Sequence, residues 1–404
     1  MLDPHAREAE TRPSADVHSS EPRVLIVTEK TLGEGHRSAA RALAEAFRRL
    51  VPGLSPVVAT TLPAHVEWVF NAVYGHTLTK NPALWGAAYD TELWTGPIVK
   101  PIVSNPMRRN ARHLVARYKP HIVLSTHALP VHAFARMRKR GAPYVLGVAI
   151  TDFGGNSFWT DRYVDAFFVA NEETGRRIAA RYRLPEERFV PTGIPIHPVF
   201  AAGEEERRRR REEKRRELGI GEEPLILLFG GGEGLFDFPS LIHALDKLAL
   251  PFSLLVLTGR NTYLRETLRT LRGSLRHKLL PYGFLEDPQE IFDIYLAGDL
   301  LISKAGGLTV SEALAVGLPM VLHRPIPGQE SRNTDYLLEK EAALYAPRAD
   351  ILLRTVEFLL REPERRRELA ERARALGKPD AALRIARHML ALYAESRKPA
   401  QTSP

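Results

Sequence analysis

Short apolar runs alternate with segments of helical periodicity along most of the chain. The first unit contains an apolar run at Val24–Val27, a loop with Gly33 and Gly35, and a helical segment at Ser38–Leu50 with Ser38 as the expected N-cap. Later strands in the first half are predicted at His121–Ser125, Tyr144–Ile150 and Ala166–Ala170. Strands that alternate with helices predict parallel sheets with crossover helices, so the expected fold class is α/β.

The opening pattern recurs after a break in the middle of the chain. The break is a cluster of glycine and proline at Pro191, Gly193, Pro195 and Pro198. The second half then begins with a predicted strand at Leu225–Phe229, a loop with Gly230, Gly231, Gly232 and Gly234, and a helix after Pro239. Its further strands are predicted at Leu254–Thr258, Leu300–Ser303 and Met320–His323. Two halves with the same beginning predict two Rossmann-like domains.

These patterns divide the chain into four parts. Residues 1–21 are polar and contain two prolines, and we expect a disordered tail there rather than a signal peptide. The first domain is predicted at residues 22–197 and the second at residues 198–378. Residues 379–404 are predicted to form a last helix, which could cross back onto the first domain, and a polar tail.

The composition narrows the classes of partner and excludes some chemistry. Of the 404 residues, 57 are Lys or Arg and 48 are Asp or Glu, and the net charge of +9 favours nucleotides, nucleic acid or acidic lipid headgroups. The absence of cysteine excludes disulfides, thiol catalysis and cysteine-ligated metal sites. No apolar run approaches the roughly 18 residues that span a bilayer, so any membrane contact is expected to be peripheral. The arginine run Arg207–Arg211 is flanked by glutamates and is interpreted as a solvated helix.

The segment Lys304–Glu312 is the densest group of candidate ligand-binding residues. It follows a predicted strand and opens a helix, and Gly306 and Gly307 would let backbone N–H groups approach a diphosphate. Thr309 could donate another hydrogen bond, and Glu312, expected in the first helical turn, could accept both ribose hydroxyls. The alternative is that a hydroxyl of this segment caps the helix and the carboxylate only complements the helix dipole. That alternative does not account for a lysine beside paired glycines.

A second candidate segment is the loop Pro325–Glu330. Two prolines and a glycine stiffen this loop, and the adjacent side chains of Gln329 and Glu330 carry polar groups that suit the hydroxyls of a sugar. The alternative, an ordinary turn rich in proline and glycine, stays open when the loop is considered without its context.

Together these segments resemble the donor-binding domain of GT-B glycosyltransferases. The chain from Val24 to about Tyr345 resembles the family of monogalactosyldiacylglycerol synthases and processive diacylglycerol glucosyltransferases. The matching motifs of the first half are Gly33-Glu34-Gly35-His36-Arg37, Thr151-Asp152-Phe153 with Trp159, Val169–Glu173 and Thr192–Ile196. Those of the second half are Gly230–Gly234, Thr258–Asn261, Gly283-Phe284, Ser303–Glu312 and Pro325–Asn333. The resemblance implies the GT-B fold, in which two Rossmann-like domains face each other across a cleft.

By the same resemblance, the second domain would bind a UDP-sugar. The backbone around Phe284 would contact the uracil, and Glu312 would bind the ribose. Gln329 and Glu330 would hold the donor sugar, and Asn333, the last residue of the motif Pro325–Asn333, is also assigned to the donor site. The residues implied on the phosphate side are Gly231, Gly232, Arg260, Lys304, Gly306, Gly307 and Thr309. No two aspartates of the chain are separated by one residue, so the Asp-x-Asp metal site of the other large glycosyltransferase fold is absent. We therefore expect no metal or other cofactor.

Such transferases invert the anomeric centre in one displacement and need a base for the acceptor hydroxyl. His36 directly follows the first glycine-rich loop and is the preferred base, although it could instead be a helix-start histidine bonded to the loop. Asp152 follows a predicted strand and could orient or replace His36. The family has a histidine three residues after Phe153, where this chain has Asn156, and an amide cannot act as a base.

The acceptor side is predicted in the first domain, near Gly35 and Asn156. Trp68, Trp85 and Trp94 fall in one stretch with tyrosines and basic residues, a composition typical of contact with an anionic lipid surface. About half of these aromatic side chains could instead be ordinary core residues. Glu34, inside the first glycine-rich loop, would repel an acceptor diphosphate and favours a neutral acceptor such as diacylglycerol.

The predicted function is inverting, metal-independent transfer of glucose or galactose from a UDP-sugar to diacylglycerol or a related lipid. The enzyme is expected to act peripherally on the cytoplasmic face of a membrane. Nucleic acid is not an expected partner, because no known binding module accompanies the positive charge. The alternatives are transfer of N-acetylglucosamine to a polyprenyl lipid in peptidoglycan precursor synthesis, UDP-sugar 2-epimerisation on the same fold, and a basic binding module without catalysis.

Overall fold

The structure is a computed structural model that describes residues 21–30, 34–63, 66–67, 104–230, 238–328 and 330–398. Six residues of the predicted site lie outside these ranges, namely Gly231, Gly232, Gln329, Trp68, Trp85 and Trp94. The roles assigned to these six residues stay predictions.

The first domain is built on a parallel sheet that has six strands within the described residues, in the order β2-β1-β3-β4-β5-β6. Its strands are β1 (Val24–Thr28), β2 (Val57–Thr60), β3 (Ile122–Ser125), β4 (Val145–Ala149), β5 (Ala166–Phe168) and β6 (Phe189–Val190). Its helices are α1 (Gly35–Leu50), α2 (Met107–Tyr118), α3 (Ala128–Arg138) and α4 (Glu172–Tyr182). Every residue of β1, β3 and β4 is buried, as expected for parallel strands with helices on both faces.

The second domain has a parallel sheet whose six described strands lie in the order β12-β11-β10-β7-β8-β9. Its strands are β7 (Leu225–Phe229), β8 (Ser253–Leu257), β9 (Lys278–Tyr282), β10 (Leu300–Ser303), β11 (Met320–Leu322) and β12 (Ala343–Tyr345). Its helices are α5 (Glu204–Glu217), α6 (Phe238–Leu245), α7 (Thr262–Leu271), α8 (Pro288–Ala297), α9 (Gly307–Val316), α10 (Ser331–Glu339), α11 (Ala349–Arg361) and α12 (Pro363–Leu376). With β7 counted as the first strand, this is the 3-2-1-4-5-6 order of a Rossmann fold. The prediction of two Rossmann-like α/β domains is confirmed.

The last helix, α13 (Ala381–Ser396), packs against the first sheet. Ile385, Ala386 and Met389 are buried together with Ile26 and other residues of β1, β3 and β4. Gly147 of β4 makes the close approach possible, because a Cβ atom at this position would lie 2.6 Å from the sulfur of Met389. Helix α13, which follows the second domain in the sequence, thus completes the core of the first domain.

Two details of the helices differ from the sequence-based expectations. Helix α1 begins at Gly35, with Glu34 at the N-cap position, so the prediction that Ser38 caps this helix is wrong. Ser38 lies one turn inside α1, and His36 is the second helical residue. The candidate base is therefore carried by a helix rather than by a loop, which restricts its orientation.

The arginine-rich helix α5 is solvated on only one face. Arg211 donates to the carbonyl oxygens of Leu296 and Gly298 and to the carboxylate of Asp299, at 2.5, 2.9 and 2.5 Å. Arg207 and Arg215, one turn to either side, likewise donate to backbone carbonyls. The interpretation of the whole run as a solvated helix is therefore wrong for this face, because its guanidinium groups satisfy the ends of neighbouring helices.

Candidate active site in the cleft between the domains

Each domain places candidate residues where its strand order reverses. In the first sheet β1 lies between β2 and β3, and in the second β7 lies between β8 and β10. His36 is carried by the helix after β1, Thr126 follows β3, and Gly306 and Gly307 follow β10. Open α/β sheets bind ligands outside the carboxyl ends of their strands at such points. The two reversal points therefore mark the candidate site.

The ring of His36 is held by two threonines of the first domain. Its Nδ1 atom lies 3.0 Å from the carbonyl oxygen of Thr126 and 2.8 Å from the hydroxyl of Thr151. A carbonyl oxygen can only accept a hydrogen bond, so this contact places the proton on Nδ1. Nε2 then carries the lone pair, which is the arrangement that a proton acceptor needs.

The surroundings of His36 keep its ring neutral. The residue is 8% exposed, and its ring contacts those of His127 and Trp159 with centroids 4.5 and 5.9 Å apart. Burial lowers the pKa of His36 to about 4, and the hydrogen bond to Thr126 opposes this effect. At neutral pH the imidazole is therefore uncharged.

Asp152 follows Thr151, which contacts His36, and it is held from the opposite domain. The side-chain amide of Asn333 donates to Asp152 Oδ1 at 3.1 Å and to the carbonyl of Ala305 at 2.8 Å, and its Oδ1 accepts the amide N–H of Phe153 at 2.8 Å. Burial raises the pKa of Asp152 to about 6, although the hydrogen bond from Asn333 opposes this effect. Asn333 thus connects the β4 loop of the first domain with the β10 loop of the second.

The tightest contact across the cleft involves Gly307. A Cβ atom at this position would lie 2.0 Å from the carbonyl oxygen of Thr151 and 3.2 Å from Asp152 Oδ1. Only glycine allows the first turn of α9 to come this close to the first domain. Gly35 is nearby as well, since a Cβ there would be 3.5 Å from Leu308 of α9.

Helix α9 starts without a side-chain cap. Its N-cap is Gly306, so neither Thr309 nor Ser311 caps it, and the hydroxyl of Ser311 instead donates to the carbonyl of Gly307 at 2.8 Å. The first N–H groups of α9 are therefore available to an anion from the cleft. Thr309 is the third residue of the helix, within this first turn.

Glu312 lies in the second turn of α9, so the prediction that it occupies the first turn is wrong. The hydroxyl of the buried Tyr295 donates to Glu312 Oε2 at 2.9 Å. Burial raises the pKa of Glu312 to about 7, while the hydrogen bond from Tyr295 lowers it. The carboxyl group is thus oriented by its own domain and keeps one oxygen, Oε1, for a ligand.

Lys304 and Glu330 form an ion pair beneath the start of α9. Lys304 Nζ donates to Glu330 Oε1 at 2.9 Å, and the amide N–H of Ile326 donates to Oε2 at 2.8 Å. The side chain of Glu330 is 4% exposed and that of Lys304 is 18% exposed. The pair links the β10 loop to the proline-rich loop. The two segments must lie next to each other if both belong to one donor site.

Arg260 reaches across the cleft to the first domain. Its guanidinium carbon lies 3.9 Å from the centre of the Phe284 ring, and its Nη2 atom lies 3.7 Å from Glu34 Oε2. Glu34 also pairs with Arg37 and Arg41, at 3.1 and 3.2 Å. The carboxylate is thus surrounded by three guanidinium groups, so the argument that Glu34 makes its loop repel an acceptor diphosphate is wrong.

Asn156 has a local structural contact. Its Oδ1 accepts the amide N–H of Phe158 at 3.1 Å and caps the short 3₁₀ turn Ser157–Trp159. This turn carries Trp159, whose ring contacts His36. Asn156 therefore helps to position the wall of the His36 pocket.

The residues that the structure describes contain neither a metal-binding cluster nor a membrane-spanning helix. No group of three or more His, Asp or Glu side chains there is arranged to hold a metal ion. None of the helices formed by these residues has both the length and the apolar character needed to cross a bilayer.

Two families match the chain, one in each domain. Residues 36–196 match monogalactosyldiacylglycerol (MGDG) synthase, and residues 210–376 match the glycosyl transferases of group 1. A processive diacylglycerol beta-glucosyltransferase of Bacillus cytotoxicus is 26% identical over 370 residues, which cover 90% of this chain and 92% of the relative. A protein of the same name from Bacillus cereus is 27% identical over 377 residues, which cover 92% of this chain and 94% of the relative.

This chain is a glycosyltransferase that resembles the diacylglycerol glycosyltransferases. The resemblance stated from the motifs is confirmed, and so is the enzyme class. Both family matches include candidate residues: His36 and Asp152 fall in the first, and the segment Lys304–Glu312 falls in the second.

Solved structures show the same fold. MurG of Acinetobacter baumannii superposes with a TM-score of 0.59 at 17% identity, covering 92% of this glycosyltransferase and all of that chain. The UDP-GlcNAc 2-epimerase of Neisseria meningitidis, solved with bound UDP-GlcNAc, also superposes with a TM-score of 0.59, at 15% identity and with the same coverage. At these identities the likeness shows the GT-B fold alone, and it confirms the predicted fold class.

Several residues of this glycosyltransferase to which the sequence assigned no role hold the site together. Thr126 and Thr151 orient His36, and Tyr295 orients Glu312. Arg332 donates to the carbonyl of Gly155 at 3.0 Å and so fixes the β4 loop against α10. Tyr295 could not be found from the sequence because it lies on a different helix, while Arg332 could have been suspected because it is next to Asn333.

Proposed function

We propose that this enzyme transfers a hexose, glucose or galactose, from a UDP-sugar to diacylglycerol or a related lipid, with inversion and without a metal ion. The observation that carries the proposal is the contact between the uncapped start of α9 and the loop of Thr151 and Asp152, beside His36. It brings an anion-binding helix end and a candidate base into one cleft. The name of the relatives, processive diacylglycerol beta-glucosyltransferase, supports the choice of lipid acceptor.

The donor is proposed to lie along the second domain. The N–H groups at Gly307 and Thr309 would bind the diphosphate, and Lys304 would add a positive charge. Gly306, whose N–H donates to the carbonyl of Lys304 at 3.0 Å, would let the diphosphate approach because it has no side chain. Arg260, which stacks on Phe284, would move from Glu34 to a phosphate oxygen when the donor binds. Its side chain is 55% exposed, so this movement requires no repacking of the core.

The nucleoside and the sugar would be bound on either side of the diphosphate. Uracil is assigned to the backbone around Phe284 and the ribose to Glu312, whose orientation by Tyr295 exists before any ligand binds. The sugar is assigned to Glu330 and Gln329. Gly231 and Gly232 complete the phosphate side, and Asn333 supports the site from behind through its contacts to both domains.

The proposed reaction is a single displacement. Nε2 of His36 accepts the proton of the acceptor hydroxyl while the hydroxyl oxygen forms a bond to C1 of the sugar. The bond from C1 to the diphosphate breaks, and UDP leaves with the electron pair, stabilised by the start of α9 and by Lys304. Asp152 follows Thr151, which contacts the ring of His36. The carboxylate of Asp152 would stabilise the imidazolium of His36 or act as the base itself.

The acceptor is proposed to enter from the first domain. Gly35 and Asn156 lie on that side of the cleft, and Trp68, Trp85 and Trp94 would contact an anionic membrane surface. The enzyme would act as a peripheral protein on the cytoplasmic face, where nucleotide sugars are available. A lipid acceptor in the membrane and a donor in water would then meet at the cleft.

The test is a matrix of donors and acceptors. UDP-glucose, UDP-galactose and UDP-N-acetylglucosamine are each incubated with diacylglycerol vesicles, with vesicles that contain a polyprenyl diphosphate-sugar lipid, and without acceptor. UDP release together with a glycosylated diacylglycerol supports the proposal. A product on the polyprenyl lipid alone, or a new UDP-sugar without UDP release, would replace it with lipid-precursor transfer or 2-epimerisation.

A further inference from the structure

A cavity lies outside the cleft, on the flank of the first domain. It has a volume of about 640 Å³ and is formed by the end of α3, the segment 160–163 and the end of α4. None of the residues assigned to the active site lines it. We call it the α3–α4 cavity, and its lining is strongly basic.

Five cationic side chains converge on the α3–α4 cavity. They are Arg136, Lys139, Arg140, Arg162 and Arg183. The cavity has one carboxylate, that of Asp161, which lies 2.9 Å from His132 Nδ1. Among the described residues, no carboxylate forms an ion pair with any of the five. This contrasts with the arginines of α5, which are bound to carbonyls and to Asp299.

Part of this charge could simply complement the ends of two helices, since cations stabilise a helix C-terminus. That explanation covers Arg136, which lies in the last turn of α3, and Arg183, at the C-cap of α4. It does not cover Arg162, which belongs to neither helix. Five positive charges around one cavity repel one another, and this repulsion is unfavourable. Stabilisation of two helix ends would not need all five charges in one place.

The repulsion extends to the neighbouring helix α2. The pKa of Arg108 is lowered by burial and, in addition, by the positive charges of Arg136, Arg112 and Arg140. The α3–α4 cavity is therefore the concave part of a wider basic surface on this domain. A concave surface focuses the field and attracts anions more strongly than a flat one.

We propose that the α3–α4 cavity binds a phosphate group, such as that of an anionic phospholipid headgroup or of a soluble phosphate ester. Guanidinium groups bind phosphate through pairs of parallel hydrogen bonds, and three arginines on different elements can surround one phosphate. The rings of Tyr163 and Tyr182 line the same cavity, and Arg162 and Lys139 lie 5.2 and 5.9 Å from the centre of the Tyr163 ring. The volume suits a headgroup or a small ester.

This inference is independent of the sugar-transfer proposal, because the two sites share no residue. The experiment keeps them apart by saturating the cleft with UDP. Binding of sn-glycerol 3-phosphate is measured by calorimetry, and binding to phosphatidylcholine vesicles with and without phosphatidylglycerol is measured by sedimentation. The proteins are the wild type, Arg136→Gln/Arg140→Gln, and the control Arg208→Gln/Arg387→Gln, which removes the same charge from exposed positions elsewhere.

We expect the cavity variant to lose about tenfold or more in affinity for at least one of the two probes, since hydrogen bonds to charged groups are the strong ones. The control variant should bind as the wild type does. A loss in the vesicle arm alone identifies a lipid headgroup, and a loss in the soluble arm alone identifies a free ester. The cavity variant should also melt at about the same temperature as the wild type without phosphate, because the repulsion removed offsets the favourable effect of Arg136 at the end of α3. Equal losses in the two variants, no loss in either arm, or no binding by the wild type would overturn the proposal.

Discussion

The two sides of the cleft each carry a buried carboxyl group, and the two groups are held differently. Asp152 of the first domain receives its hydrogen bond from Asn333, which belongs to the second domain. Glu312 of the second domain receives its hydrogen bond from Tyr295 of the same domain. Burial raises the pKa of both, to about 6 and about 7 respectively.

This difference separates what each domain can do alone from what requires both. The environment of Glu312 is complete within one domain, so a nucleotide could bind there whatever the position of the other domain. The environment of Asp152 exists only while the domains are in contact, since Asn333 and Gly307 both come from the other side. We therefore expect the second domain to govern UDP affinity and the contact between domains to govern turnover.

The largest effect is expected at the candidate base. His36→Ala should lower kcat by roughly 10²–10⁴-fold, the usual contribution of general base catalysis, while UDP affinity stays unchanged. Steady-state kinetics and calorimetry with UDP measure the two quantities. Asp152→Asn is the matched variant and should lower kcat less. A larger loss in Asp152→Asn than in His36→Ala would transfer the role of base to Asp152.

The next effect tests the contact between the domains. Gly307→Ala places a methyl group where the carbonyl of Thr151 lies, 2.0 Å away, so the domains must separate. A displacement of this size should cost about 10²-fold in kcat/KM. Gly203→Ala is the matched control, because no atom lies within 4 Å of the position of its Cβ. Equal activity of the two variants would mean that the close contact at Gly307 is not needed.

A smaller effect is expected for nucleotide binding on the second-domain side. Glu312→Gln removes the charge that would accept two ribose hydroxyls, and the Kd for UDP should rise by about 10-fold, since hydrogen bonds to charged groups contribute roughly 1.5–3 kcal/mol. Asn333→Ala should leave the Kd for UDP within about twofold of the wild type, because it disturbs only the contact between domains. If Asn333→Ala weakened UDP binding as much as Glu312→Gln, UDP affinity would depend on the contact between the domains, contrary to our expectation.

The smallest effect concerns pH. The pKa of Glu312 is raised from 4.5 to about 7 in the folded protein, so between these values the folded state holds a proton that the unfolded chain releases. The contribution of Glu312 to the free energy of unfolding therefore falls as pH rises through this window. Relative to Glu312→Gln, the wild type should lose on the order of 1 kcal/mol between pH 4.5 and 7. Urea denaturation of both proteins at a series of pH values measures the difference, and parallel curves would contradict the assignment.

The sequence predicted the central strands well and the edges poorly. The apolar runs of β7 and β10 were placed at their observed bounds, because a strand covered on both faces reads as a continuous apolar run. The edge strands β2 and β9 were missed. The residues of β2 alternate between half-buried and exposed, and β9 contains Lys278 and Pro281, which are typical of an edge.

The candidate site was predicted as a set of segments rather than as a geometry. His36, Asp152 and the segment Lys304–Glu312 were each proposed from motifs, and the structure brings them to one cleft. Asn333 was assigned to the donor, but all three of its hydrogen bonds go to protein groups on both sides of the cleft. Its function in donor binding stays a prediction, because a motif does not say which partner an amide will meet.

The sequence by itself determined the fold class, the enzyme class and the order of the two domains. These depend on periodicity and on motifs that lie within short stretches of chain. Only the tertiary structure decided which charges are bound by other groups of the described residues. Arg211 and Arg140 look alike in sequence, yet one is bound to two carbonyls and Asp299 while the other faces an open cavity. The physical reason is that the state of a charged group depends on the groups around it in space, and most of those come from distant parts of the chain.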